Sequence, residues 1–401
     1  MMEFTVRVAY RLSGMMTAGL VGLTLALPSP TLAGAISENQ RSAERTPFTL
    51  QESLQAKPGA IRDARFAADS VEEYRNALAS ATKANQEPWL VLSGGGENGA
   101  YAAGLLSGWQ ETGSRPRFGV VTGISTGALI APLAFAGAAY DGALKDAYTT
   151  ITAADVFEFG STPSSLVDTW PLTKLIERFV TPDLLKSVAE EHKQGRRLFV
   201  LTTNVDTQRP VAWNMGAIAA EGGEQSLKLF QTILLASSAI PGIFPSVEIP
   251  VVANGKRFAE MHSDGGITTP FFVAPEAVVA GLTPSQPLTN QPIYVVVNAQ
   301  LSPEFQVTER NTLSVLGRGM SVAIKAASRA AMGVHAGFAQ RSGLNMQFSH
   351  IDGRFKQSAP GPFDQDYMKA LFEFGVRVAK EGSAFRRNPF DRSPVVTAER
   401  R

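Results

Sequence analysis

From residue 90 the chain reads LVLSGGGENGAYAAGLL, an apolar run of strand length, three consecutive glycines, and then Ala102, Leu105, Leu106 and Trp109 at the i, i+3, i+4, i+7 spacing of a helix packed on a sheet. Glycines at a strand-to-helix junction leave backbone N–H groups free to face an anion at the helix start. The pattern repeats. FGVVTG (118–123) leads into STGALIAPLAFAGAAY, RRLFVLTTNV (196–205) precedes SLKLFQTILLASSA (226–239), which Pro241 stops, and PIYVVVNAQ (292–300) is a further strand. Strands alternating with helices predict an α/β fold with a mainly parallel sheet sandwiched by helices. SVLGRGMSVAIKAASRAAMGVHAGFAQ and DYMKALFEFGVRVAKEG predict two amphipathic helices covering that sheet.

The 401 residues carry a formal net charge of +1, which excludes a broad basic face for nucleic acid, and no cysteine, which excludes disulfides, thiol catalysis and cysteine metal sites. Residues 1–35 have the layout of an export signal. Arg7 and Arg11 precede GMMTAGLVGLTLALP, and small residues at Thr31, Ala33 and Ala35 suit cleavage after Ala33 or Ala35. The expected destination is the periplasm or the exterior, and the competing expectation is an uncleaved N-terminal membrane anchor. Residues 36–86 read as a polar extension with one surface helix, 87–385 as the main domain and 386–401 as a loose tail.

Two readings of the glycine loop Gly94-Gly95-Gly96-Glu97-Asn98-Gly99 compete. A dinucleotide site needs an acidic residue about 20 positions on, but 115 and 117 are arginines, and no P-loop Gly-Lys-Ser/Thr occurs. An oxyanion hole requires only converging N–H groups and close approach, so no nucleotide is expected. Gly123-Ile124-Ser125-Thr126-Gly127 is a G-x-S-x-G between a strand and a helix, either a glycine turn or an elbow that exposes a serine nucleophile. Four histidines could serve as its base. His192 sits in a charged stretch and His335 in an Ala/Gly-rich helix, whereas Ser125, Asp264 and His350 follow the chain order of an α/β-hydrolase triad. Asp264-Gly265-Gly266, beside His262, is a turn by default. With no H-E-x-x-H and no calcium-loop pattern, no metal or cofactor is expected.

GGGENG, GISTG and DGG in this order, with ASSAIPGIFPSV before the DGG, resemble the patatin-like phospholipase family over roughly residues 88–300. The resemblance implies a three-layer α/β/α fold and a Ser-Asp dyad of Ser125 and Asp264. It further implies an oxyanion loop of Gly94, Gly95, Gly96 and Gly99, and hydrolysis of acyl esters of phospholipids or other lipids, with transient contact at a membrane surface. Where such families carry Arg or Lys in G-G-G-x-R/K-G, this chain has Asn98, which bears on headgroup preference. A catalytically silent lipid-binding scaffold is the reading from another class. Near-zero net charge predicts docking through apolar loops and no strong attraction to anionic surfaces.

Overall fold

A computed structural model describes residues 45–390 apart from 60, 163–164, 284–287 and 304–306, so the expected export signal and residues 391–401 of the tail lie outside the described residues. At its centre is one nine-stranded sheet. Strands β1 (Arg65–Ala67), β2 (Trp89–Leu92) and β3 (Val120–Ile124) belong to it, while β4 (Glu158–Thr162) and β5 (Ser165–Asp168) form a separate hairpin. The sheet continues with β6 (Arg197–Asn204), β7 (Arg209–Asn214), β8 (Val247–Ala253), β9 (Lys256–Asp264), β10 (Ile293–Gln300) and β11 (Met346–Ile351). Its order is β1-β7-β6-β3-β2-β10-β11, with β9 also on β6 and β8 on β9. From β6 to β11 along this path the pairing is parallel. Helices cover both faces, so β2, β3 and β6 are buried along their whole length; this is why each reads as an unbroken apolar run.

One face carries α3 (Gly99–Glu111), α4 (Thr126–Ala136) and α5 (Asp141–Thr149), followed by α6 (Trp170–Phe179), α7 (Pro182–Lys193), α8 (Met215–Glu221), α9 (Gly223–Ser237) and α12 (Gln365–Lys380). The other carries α2 (Val71–Ala79), α10 (Glu276–Val279) and part of α11 (Thr312–Ser342). The small residues of α3 let α12 approach closely: a Cβ on Gly104 would lie 2.0 Å from the Phe372 carbonyl oxygen.

Three segments depart from the sequence reading. The polar extension holds α1 (Leu50–Gln55) and α2 but also contributes β1, antiparallel to β7 at the sheet edge, and buries Tyr74, whose hydroxyl donates to the Val273 carbonyl. The tail is fastened at its start, where Arg386 and Phe348 exchange backbone hydrogen bonds. The third is α11. From Ser314 to Ala327 it buries nothing, and only from Ser328 onward do Met332, His335 and Phe338 pack on the sheet. The expected sheet-covering helix therefore covers with its C-terminal half alone.

Candidate active site

The parallel strands deliver their C-terminal ends to one edge of the sheet, where ligands of open α/β folds sit. Leu92 ends β2 and the glycine loop follows; Ile124 ends β3 and Ser125 follows. Ser125 adopts φ 56°, ψ −126°, a strained conformation for a residue with a side chain. Its neighbours explain the glycines around it. A Cβ on Gly123 would lie 2.3 Å from the Gly127 carbonyl oxygen, and one on Gly127 would lie 2.5 Å from that of Leu92. The turn is held by Ser237, whose hydroxyl accepts from Ser125 N–H (3.0 Å) and donates to the Leu201 carbonyl (2.6 Å).

Strand β6 is what brings Asp264 to this serine. Its Leu201 pairs with Ile124, the last residue of β3, and the next residue, Thr202, pairs with Asp264, the last residue of β9. Two strands far apart in sequence thus end side by side along a third. The Ser125 hydroxyl faces the Asp264 carboxylate closely enough to lower its pKa, the carboxylate accepts from Gly266 N–H at 2.7 Å, and Asp264 N–H donates to the Ala239 carbonyl at 2.8 Å. Gly265 passes the β6 backbone so closely that a Cβ would lie 2.6 Å from the Leu201 carbonyl oxygen. Burial pushes the Asp264 carboxyl up from 3.8 to about 6; the Ser125 hydroxyl and the Gly266 N–H offset part of that rise, and no cation among the described residues contributes.

The glycine loop faces the same point. Gly94 packs against Ser125, and Gly95 (φ 155°) passes so near β10 that a Cβ would lie 2.2 Å from the Asn298 carbonyl oxygen. Asn298, fully buried, braces the loop: its side chain donates to the Ser93 carbonyl and accepts from Ala102 N–H. The expected set of N–H donors is narrower than the four glycines. Gly94 N–H donates to the Pro270 carbonyl (3.3 Å) and Gly99 N–H to the carbonyls of Gly96 and Glu97. Among the described residues, only Gly95 and Gly96 of the four have N–H groups without a protein acceptor. Gly99 serves instead as a contact, its hydrogens facing Thr126 and Tyr148 where a Cβ would clash. Asn98 accepts from the Tyr367 hydroxyl of α12 at 2.7 Å.

Beside Ser125 opens a cavity of about 150 Å³ with a predominantly apolar lining, among it Leu129, Leu133, Ile176, Phe179 and Phe244. Glu97 is the one ionisable carboxyl on its wall, and burial pushes that carboxyl above the ordinary range. A larger cavity of about 770 Å³ lies under α1 and β1, away from Ser125 and lined mainly by polar groups.

The histidines are elsewhere. His350 lies on β11, three strands from β3, with its ring nitrogens facing the carbonyls of Ile351 (3.0 Å) and Pro389 (3.2 Å), so the alternative triad of Ser125, Asp264 and His350, an esterase or thioesterase arrangement, is not assembled. His192 packs by Arg197 and His335 is buried in α11, where its Nδ1 faces the Ala331 carbonyl. His262, two residues from Asp264 on β9, is buried between Thr202 and Glu260. Ser237, Asn298 and Glu97 escaped the sequence reading of the site. One signal for β9 was available: Asn254-Gly255 between β8 and β9, both with positive φ, is the strongest short-range hairpin dipeptide.

Residues 90–275 match the family model described as patatin-like phospholipase. This stretch is a patatin-like phospholipase domain. It spans both the Ser125 turn and the DGG turn, and its family acts on lipid substrates. No curated protein matches the chain. Among solved structures, a crystal structure of VipD from Legionella pneumophila is similar at 12% identity, over 74% of this chain and 67% of that one, with a TM-score of 0.38.

Proposed function

We propose that the patatin-like domain is a serine lipid acyl hydrolase of phospholipase A type, with Ser125 as nucleophile and Asp264 as its base. The observation that carries this reading is the placement of the Ser125 hydroxyl, at a strained strand-to-helix turn on the wall of an apolar cavity, beside the Asp264 carboxylate at the adjacent position of β6. Ser125 Oγ attacks the ester carbonyl carbon while its proton passes to Asp264. The carbonyl oxygen, now negative, sits against the N–H groups of Gly95 and Gly96. Collapse expels the alcohol, which takes the proton from Asp264, and water then releases the acyl group by the same route in reverse. An ordinary aspartate is a poor base for a serine; an aspartate raised to about 6 is a better one and is still ionised at neutral pH. The acyl chain occupies the apolar cavity. Among the described residues no Arg or Lys lines that cavity, so a phosphate headgroup is placed outside it.

Asn98, tied to Tyr367 where the family's cation is expected, motivates a second reading, a scaffold that binds lipid without cleaving it. Fluorophosphonate labelling of the protein, with peptide mapping and a Ser125→Ala control, separates the two. Label on Ser125 alone is the expected result, and a folded protein that takes no label favours the silent scaffold.

A further inference from the structure

Helix α11 is the crossover between parallel strands β10 and β11, so it starts at the edge of the sheet where Ser125 lies and runs back along the sheet. Its 31 residues span about 46 Å, whereas the eight residues of β10 span about 26 Å. The excess, roughly 20 Å, is the N-terminal half, in which nothing from Ser314 to Ala327 is buried. Lys325 Nζ donates to the carbonyl of Ser302, just past the end of β10, and locates the point at which the helix leaves the sheet. The overhang is a defined helix: the side chain of Asn311 caps its start by accepting from Ser314 N–H.

The chemistry of the overhang is one-sided. Val315 and Val322, 57% and 56% exposed, lie seven residues apart on one stripe with Leu316 beside them. Arg318, Lys325 and Arg329, spaced seven and four residues apart, run along one border of that stripe, and the whole of α11 contains four basic residues and neither Asp nor Glu. An apolar stripe bordered by cations, on a helix that carries no Asp or Glu of its own, is the pattern of a helix lying in the headgroup region of an anionic membrane. Among the described residues, no helix is long and apolar enough to cross a bilayer.

We infer that the N-terminal half of α11 is a docking element that lays the edge of the sheet bearing Ser125 onto an anionic lipid surface. This goes beyond the proposed hydrolysis and does not depend on it. The chain's near-neutral total hides a local basic stripe, and docking rests on this helix where the sequence pointed to apolar loops.

Because the chain has no cysteine, one introduced thiol reports from a chosen position. Full-length protein carrying Ser125→Ala and Val322→Cys, labelled with an environment-sensitive fluorophore, would be mixed with phosphatidylglycerol-containing vesicles or with phosphatidylcholine vesicles. A Lys228→Cys protein, labelled on exposed α9, is the control. The expected result is a blue shift and a several-fold rise in emission at position 322 with anionic vesicles only, absent at 228, and reduced about tenfold in apparent affinity by Lys325→Gln with Arg329→Gln. No change at 322, an equal change at 228, or a change that grows with protein concentration in the absence of vesicles, as for pairing with a second copy, would each overturn the inference. Hydrolysis of a soluble short-chain ester by the protein with Ser125 intact is measured alongside. If that activity is missing while the shift persists, the hydrolase reading fails and the docking surface stands.

Discussion

Strand β9 carries two buried carboxylates four residues apart, and each has a serine hydroxyl beside it: Ser53 donates to Glu260, and Ser125 faces Asp264. As lists of atoms the two pairs are nearly alike. Their surroundings differ in charge. Glu260 is paired with the Arg65 guanidinium and faces His262, whose Nδ1 meets the Thr202 hydroxyl; Thr202 in turn accepts from the Trp213 indole N–H. That chain leaves the histidine proton on Nε2, aimed at Glu260. Burial alone would raise the Glu260 carboxyl, but hydrogen bonds from His262 and Arg65, with the arginine's charge, take it down to about 2. Asp264 has no cation and stands at about 6. A carboxylate held near 2 is a strut that ties the N-terminal extension to β9. One held near 6 can accept a proton at neutral pH. What separates the two carboxylates is the histidine and the arginine that donate to Glu260.

The widest gap between the pairs is expected in turnover. Ser125→Ala and Asp264→Asn should each lower kcat for an acyl ester by about 10³-fold or more, whereas Ser53→Ala should stay within about twofold per folded molecule. Comparable losses from Ser53→Ala would erase the distinction. Next in size is Gly95→Ala, whose Cβ would meet the Asn298 carbonyl and displace a proposed oxyanion donor; a drop of about 10²-fold in kcat is expected, and near-normal turnover would remove Gly95 from that role.

Stability should move in opposite directions at the two sites. Glu260→Gln leaves Arg65 uncompensated and should destabilise by about 3 kcal/mol in urea denaturation at pH 7. Asp264→Asn keeps an oxygen for Gly266 N–H, places an NH2 that can donate to the Ser125 hydroxyl, and removes a buried charge, so at pH 8 it should stabilise by up to about 3 kcal/mol. The raised Asp264 carboxyl favours the fold fully below 3.8 and loses that contribution as pH rises through about 6, so the advantage of Asp264→Asn should vanish towards pH 4. The Glu260 contribution runs the other way, present above 4.5 and lost as pH falls towards about 2. Matching signs for the two variants at pH 8 would contradict the contrast. The subtlest expectation is kinetic: kcat/KM should rise with pH along a limb with an apparent pKa near 6, and a limb near 4 would show that burial of Asp264 is relieved in the working enzyme.

Much of this was legible in the chain. The strand runs WLVL and RLFVLTTN are continuous because central parallel strands are buried on both faces, and Gly123 is fixed by a clash four residues away, whereas Gly127 is fixed by Leu92 of the neighbouring strand. The His350 triad fails because chain order says nothing of which strand lies beside which; β11 is at the far end of the sheet order from β7 and β1. In α11 the 3.6-residue period was correct, but a period gives a face and not a partner, and the helix outruns the strands it covers.

By itself, then, the sequence determined the alternation of strands and helices, the glycine loop, the serine turn and the hairpin dipeptide, because each rests on stereochemistry or apolar spacing within a short window. Tertiary structure alone decided that β3 and β9 end at adjacent residues of β6, that Ser125 therefore meets Asp264, that Arg65 neutralises Glu260 and leaves Asp264 without a cation, and that half of α11 stands clear of the sheet. These are contacts between residues up to about 200 positions apart, set by how whole strands pair and how long a helix is relative to the strands beneath it.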